Sequence, residues 1–223
     1  MGQDQLFHKN RERKNNELVR REASKAPYDT YLIVCEGETE RNYFIGLIKY
    51  YRLNVANVIS IKAKGSAPIN VIQHGINYSE THSNIDHVIC VFDRDDHKTY
   101  HEAIKILENH KPSRGSKSKP VFQAITSSPC FEIWILLHFI YTSQEFGRTG
   151  NKSSADNLIK SLKNHFPEYT KANENLFSTL VTKLPQALKN AKKLLKENEE
   201  TGSVSPETKI HLLVEKLMNL TLS

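Results

Sequence analysis

Acidic side chains follow two apolar segments of the chain, at positions where a strand would end. Glu36-Gly37 comes directly after residues 30–35 (TYLIVC), and Asp93-Arg94-Asp95 comes directly after residues 87–92 (HVICVF). Both segments are short and apolar, with the β-branched residues that favour strands. Asp93 and Asp95 are two residues apart, so their side chains point the same way in an extended backbone. Because Mg²⁺ prefers oxygen ligands, we predict a Mg²⁺ or Mn²⁺ site centred on Glu36, Asp93 and Asp95.

The segments around these acids alternate between the periodicities of strands and helices. The predicted strands are residues 30–35, 57–62, 87–92 and 120–126, and the predicted helices are residues 39–51, 68–80 and 100–110. Strands that alternate with helices form right-handed crossovers and a parallel sheet. The carboxyl ends of such strands lie at one edge, where ligands bind. The predicted fold class is therefore α/β, with a central parallel sheet of about four strands flanked by helices.

The second half of the chain predicts a helical extension. Residues 130–141 are apolar nearly all round, which predicts a buried helix. Further helices are predicted at 154–164, 185–198 and 205–220, the last with Ser205 as N-cap and Pro206 in its first turn. Glu132 lies near the start of the apolar helix. It either interacts with the helix dipole or faces the same sheet edge and completes the metal site.

The predicted domain organisation has three parts. These are a basic N-terminal extension (1–27), a metal-binding domain (28–142) and a helical C-terminal region packed on it (143–223). The chain has 31 Lys and Arg against 25 Asp and Glu, a net charge of +6, and this permits a polyanionic partner. No apolar stretch is long enough to span a bilayer, and the polar N-terminus does not resemble a signal peptide. We therefore expect a cytoplasmic protein without a membrane partner.

Glu36-Gly37 and Asp93-x-Asp95, each after a strand, resemble the TOPRIM fold of topoisomerases, primases and overcoming-lysogenization-defect nucleases. Over nearly the whole chain the sequence resembles the RloB family. The segments that carry this resemblance are LIVCEGETERNYF (32–44), VFDRDD (91–96), SPCFEIWILLHF (128–139) and ETKIHLLVEKL (207–217). The resemblance implies a TOPRIM-like sheet and a metal-dependent nuclease that acts in prokaryotic anti-phage defence, as in abortive infection.

The resemblance also implies roles for individual acids. Glu36 would be the catalytic glutamate, Asp93 and Asp95 would hold the metal, and Glu40 and Glu132 would support a second metal. His97 stands where the longer DxDxD motif has its third aspartate, so a third ligand in that loop stays open.

The reaction expected of such a site is hydrolysis of a phosphodiester bond in RNA, such as tRNA, or in DNA. Basic side chains near the acids would position the nucleic-acid backbone. The candidates are Lys62, Lys64, Arg94, Lys98, Arg114, Lys117 and Lys119. A regulatory protein partner or a homo-oligomer is expected to restrain the activity.

Two other functions fit parts of the pattern. A phosphatase of the haloacid dehalogenase type also places DxD after an apolar strand, with the first aspartate as nucleophile. That motif has Thr or Val where His97 stands, and it leaves the EGETE segment (36–40) unexplained. The other alternative is a non-catalytic module that binds nucleic acid or a partner on a TOPRIM scaffold, although Glu36, Asp93 and Asp95 are all present.

Overall fold

The structure is a computed structural model that describes residues 29–53, 58–65, 67–82, 84–94, 99–111 and 119–220. Several of the predictions above concern residues outside these ranges. They are the basic extension (1–27) and four candidate site residues, Asp95, Lys98, Arg114 and Lys117.

The described residues form a mixed α/β structure around a sheet that is mostly parallel. Its strands are β1 (Tyr31–Cys35), β2 (Val58–Lys62), β3 (His87–Asp93), β4 (Val121–Ser128) and β5 (Glu207–Thr208). Their order across the sheet is β2-β1-β3-β4-β5. The first four strands are parallel to their neighbours, and β5 is antiparallel to β4. The predicted α/β class and the four parallel strands are thus confirmed, and β5 is an additional edge strand.

Helices cover both faces of the sheet. They are α1 (Glu38–Tyr50), α2 (Pro68–Thr81), α3 (Tyr100–Asn109), α4 (Glu132–Leu136), α5 (Ser154–His165), α6 (Leu176–Leu180), α7 (Leu184–Thr201) and α8 (Ile210–Asn219), with a 3₁₀ turn at Val181–Lys183. Alternate residues of each central strand enter different hydrophobic clusters, because side chains alternate across a sheet. Ile33 of β1 packs with α1 and with the helices from α4 onward. Leu32 packs with α2 and α3. Burial on both faces explains why these strands are continuously apolar.

The C-terminal helix is shorter than predicted. Residues 205–220 do not form one helix with Ser205 as N-cap: Glu207 and Thr208 form β5, and α8 begins at Ile210. Thr208 pairs with Ser127 of β4, and the Oγ1 and Oγ atoms of these two residues are 3.0 Å apart. The Lys209 amide donates to the carbonyl of Thr126 at 2.9 Å. The open edge of β4 thus supplies hydrogen-bond partners that a local helix signal does not reveal.

The helices of the structure differ from the prediction at two further places. The segment 130–141 contains only the short helix α4, followed by turns through residue 139. Helix α6 was not predicted at all. The side chains of α4 are fully buried, so the apolar character that predicted a long helix reflects burial of the whole segment. The predicted domain boundaries at 27 and 142 stay predictions.

Candidate functional site

Glu36 and Asp93 meet at the carboxyl edge of the sheet. Glu36 directly follows β1, and Asp93 is the last residue of β3. The two strands are adjacent and parallel, and Cys35 pairs with Val91. The amide of Glu36 donates to the Val91 carbonyl at 3.0 Å, which extends the pairing by one residue. The amide of Asp93 donates to Glu36 Oε2 at 3.1 Å. Residues 57 positions apart in the sequence are therefore fixed side by side. Asp95 lies outside the described residues, so its place in the site stays a prediction.

Glu40 brings a second glutamate from the first turn of α1. Its side chain is buried, and its carboxylate folds back over the turn between β1 and α1. A Cβ atom at Gly37 would lie 2.5 Å from Glu40 Oε2, closer than real contacts allow. The backbone of Gly37 has a φ of −115°, which other residues adopt readily. Gly37 therefore leaves space for the Glu40 carboxylate, which would have to move if residue 37 carried a Cβ atom.

Glu132 faces the same edge from the start of α4. Its side chain is buried, and the Tyr169 hydroxyl donates to Glu132 Oε1 at 2.8 Å. The Lys171 ammonium lies 3.7 Å from the same oxygen. Glu132 is in the first turn of α4, where it can interact with the helix dipole, and its carboxylate also interacts electrostatically with Glu40. Both alternatives for Glu132 are therefore compatible with the structure, and its place in a metal site stays a prediction.

We call Glu36, Glu40, Asp93 and Glu132 the acidic cluster. Burial raises the pKa of Glu40 above its ordinary value, and the charges of Glu132 and Glu36 raise it further. The pKa of Lys171 is also raised, because the negative charge of Glu132 stabilises its protonated ammonium, with additional contributions from Asp93 and Glu40. Three carboxylates, those of Glu132, Asp93 and Glu40, thus interact electrostatically with one ammonium group. The excess negative charge favours a bound cation or proton.

Tyr169 and Lys171 were missed by the sequence analysis. Both lie in the loop between α5 and α6 (residues 166–175), more than a hundred residues after α1. Neither belongs to a motif, and the loop has no periodic pattern. Their role depends on a tertiary contact that no local sequence signal could have revealed.

The donors of the acidic cluster suit a hard divalent cation. All are carboxylate oxygens, and Mg²⁺ binds through a few carboxylates while it keeps several waters. Within the described ranges, which leave out Asp95, no group of three or more His, Cys, Asp or Glu residues is arranged so that it could hold a metal ion. The chemistry of the donors fits the predicted metal, and the metal and its ligand set stay predictions.

The predicted basic residues do not all lie at this edge. Lys62 ends β2 and lies 3.3 Å from Glu38, and Lys64 is exposed just beyond it. Arg94 follows β3, with one guanidinium nitrogen 3.8 Å from Glu207 and its guanidinium carbon 5.4 Å from the centre of the Tyr100 ring. Lys119 precedes β4 and so lies at the amino ends of the parallel strands, whereas Glu36 lies at their carboxyl ends. Lys62, Lys64 and Arg94 thus lie at or just after the carboxyl ends of their strands, as the acidic cluster does, and Lys119 does not.

A family model described as "RloB-like protein" matches residues 31–217. The chain belongs to the RloB-like family. The match starts with the first residue of β1 and ends within α8, so this RloB-like region includes the whole acidic cluster, Tyr169 and Lys171. Comparisons with curated proteins and with solved structures give no significant match. No helix in the described part of this RloB-like chain is long and apolar enough to cross a membrane.

Proposed function

We propose that this RloB-like protein is a divalent-metal-dependent nuclease with a TOPRIM-like sheet. The observation that supports this most strongly is the hydrogen bond between Asp93 and Glu36, which joins acids from two adjacent parallel strands. Glu40 interacts electrostatically with both Glu36 and Glu132, and the acids lie at the carboxyl ends of parallel strands, where such sheets bind ligands. Family membership supports the same proposal, since the matched region contains every one of these acids.

In this proposal Glu36, Asp93 and Asp95 hold Mg²⁺ or Mn²⁺, and Glu40 and Glu132 support a second ion. A bound ion supplies charge neutralisation at the scissile phosphate and a lower pKa for the attacking water. The backbone amide of Asp93 fixes the orientation of the Glu36 carboxylate. Lys171, whose side chain is 66% exposed, presents its ammonium where a phosphate oxygen can reach it. Tyr169 orients Glu132 through its hydroxyl.

The substrate class is nucleic acid, either RNA such as tRNA or DNA. The net charge of +6 and the placement of Lys62, Lys64 and Arg94 support a polyanionic substrate. We further propose that the protein acts in the cytoplasm of a prokaryote as an anti-phage effector, held inactive by a partner protein or by self-association until infection.

Cleavage of labelled RNA and DNA by the purified full chain tests this function. We expect cleavage that requires Mg²⁺ or Mn²⁺ and stops with EDTA. Glu36→Gln and Asp93→Asn should each reduce the rate about 100-fold or more, within the range that one catalytic acid or base contributes. Glu108→Gln is the matched control, because Glu108 is an exposed glutamate on α3, away from the acidic cluster.

The outcome distinguishes the nuclease from a binding module. Retained binding of nucleic acid without metal-dependent cleavage would contradict the proposal. Cleavage that Glu36→Gln and Asp93→Asn leave unchanged would contradict the assignment of the site.

A further inference from the structure

The loop that carries Tyr169 and Lys171 is fastened to α1 at Ala172. The amide of Ala172 donates to Thr39 Oγ1 at 3.0 Å, and Asn42 Nδ2 donates to the carbonyl of Ala172 at 2.8 Å. Thr39 and Asn42 are both buried, and their spacing of three residues places them on one face of α1. Two helix side chains thus bind both backbone polar groups of one loop residue.

The backbone of Ala172 adopts an unusual conformation at the point where these two bonds hold it. Its φ is +59°, in the left-handed region that residues other than glycine rarely occupy. Such a conformation persists where the surrounding contacts over-determine it. The hydrogen bonds from Thr39 and Asn42 are contacts of this kind.

The same stretch of loop reaches the acidic cluster. Lys171, next to Ala172, lies 3.7 Å from Glu132, and Tyr169 donates to that carboxylate at 2.8 Å. Glu40 lies between Thr39 and Asn42 on the first turn of α1. One helical turn therefore carries an acid of the cluster together with the two side chains that hold the loop.

We propose that Thr39 and Asn42 are positioning residues that act through Lys171: by holding Ala172, they fix the Lys171 ammonium against Glu132 and Glu40 as the counter-charge of the site. This rests on the proposed function, since the carboxylates opposite Lys171 are the proposed metal ligands. A fixed ammonium repels an incoming divalent cation and attracts a substrate phosphate. Loosening the loop therefore changes the affinity for metal and the rate of cleavage through one shared cause.

A double-mutant cycle on the full chain tests the proposal, with Mn²⁺ binding measured by calorimetry in the absence of nucleic acid. We expect Lys171→Met to tighten Mn²⁺ binding about tenfold, the effect of removing a unit charge about 5 Å from a divalent ion in water. Asn42→Ala should tighten binding by a smaller factor. In the Lys171→Met background, the effect of Asn42→Ala should be much smaller, because residues that act through one group are not additive; what remains reports the contact of Tyr169, on the same loop, with Glu132.

A matched pair at Thr39 controls for simple loss of packing. Thr39→Val removes the hydroxyl but keeps the shape, and it should behave like Asn42→Ala, whereas Thr39→Ser keeps the hydroxyl and should behave like the wild type. If Asn42→Ala does not fold, the Thr39→Val and Thr39→Ser comparison in both Lys171 backgrounds replaces it. A merely structural role predicts that Asn42→Ala changes Mn²⁺ affinity by the same factor with and without Lys171, and this result would overturn the proposal.

Cleavage rates at saturating metal separate the two proposals. We expect Lys171→Met and Asn42→Ala to lower kcat, with the double variant no slower than Lys171→Met alone. If the effects of Asn42→Ala and Lys171→Met on Mn²⁺ affinity are non-additive but the protein cleaves nothing, the nuclease proposal is overturned and the positioning role stands. Cleavage with independent, multiplicative effects of the two variants would overturn the positioning role alone. A wild type that neither binds Mn²⁺ nor cleaves would overturn both.

Discussion

His138 is predicted to make the fold sensitive to acid. The side chain is 2% exposed, and its Nδ1 lies 2.9 Å from the carbonyl oxygen of Trp134, to which it donates as N–H. Its ring packs 4.9 Å from the Trp134 ring and 6.2 Å from the Tyr43 ring. Burial lowers the pKa of His138 from 6.5 to about 4, because the charged imidazolium is poorly solvated in this core.

The sign and size of the effect follow from this difference in pKa. Between pH 6.5 and about pH 4 the unfolded chain binds a proton at His138 and the folded protein does not. The free energy of unfolding therefore falls as the pH falls through this window. Between about pH 7.5 and about pH 5, a pKa lowered by this amount contributes about 2 kcal/mol. Glu40 has the opposite sign, because its pKa is raised and its contribution is lost as the pH rises.

Urea unfolding in EDTA, at about pH 5 and about pH 7.5, measures this contribution in the wild type and in His138→Phe. Phenylalanine keeps an aromatic ring but does not titrate, so its packing effect is the same at both pH values. Groups such as Glu40 titrate in both proteins and cancel in the comparison. We expect the wild type to lose about 2 kcal/mol more than the variant on acidification. Equal losses in the two proteins would refute the reasoning, and His138→Gln provides a second uncharged replacement.

Three further predictions concern the acidic cluster. Gly37→Ala should weaken Mn²⁺ binding in calorimetry, because the new Cβ would lie 2.5 Å from Glu40 Oε2 and the carboxylate has to move; unchanged affinity would contradict this. Tyr169→Phe should destabilise the protein by about 1–3 kcal/mol in urea unfolding, since it removes the hydrogen bond that the Tyr169 hydroxyl donates to the buried Glu132 carboxylate, and an unchanged midpoint would show that the bond contributes nothing. At ten times its Kd, Mn²⁺ should stabilise the wild type by about 1.4 kcal/mol, a rise of about 3–5 °C in Tm. The same Mn²⁺ concentration should shift Glu36→Gln much less, and equal shifts would argue against Glu36 as a ligand.

The central strands could be predicted from the sequence because burial on both faces makes them continuously apolar. Residues 87–92 carry this signal, and β3 occupies His87–Asp93. Strand β5 could not be predicted, because it has two residues and exists through its pairing with Ser127 and Ser128. Local capping signals at Ser205 and Pro206 suggested a helix there, and the tertiary pairing prevailed over them.

The same distinction applies to the candidate site. Glu36 and Asp93 could be proposed from the sequence because each directly follows an apolar segment that predicts a strand, and parallel strands bring their carboxyl ends to one edge. Lys171 could not, because it reaches Glu132 only through the hydrogen bonds that join Ala172 to α1. The opposite location of Lys119 also follows from the fold, since a loop that precedes a parallel strand lies at the other edge.

The most direct test of the central claim is a cleavage assay with the wild type, Glu36→Gln, Asp93→Asn and the Glu108→Gln control on labelled RNA and DNA. The account predicts Mg²⁺- or Mn²⁺-dependent cleavage by the wild type and the control, and rates reduced by about 100-fold or more in the two site variants. Equal cleavage by all four proteins, or cleavage that persists in EDTA, would contradict it.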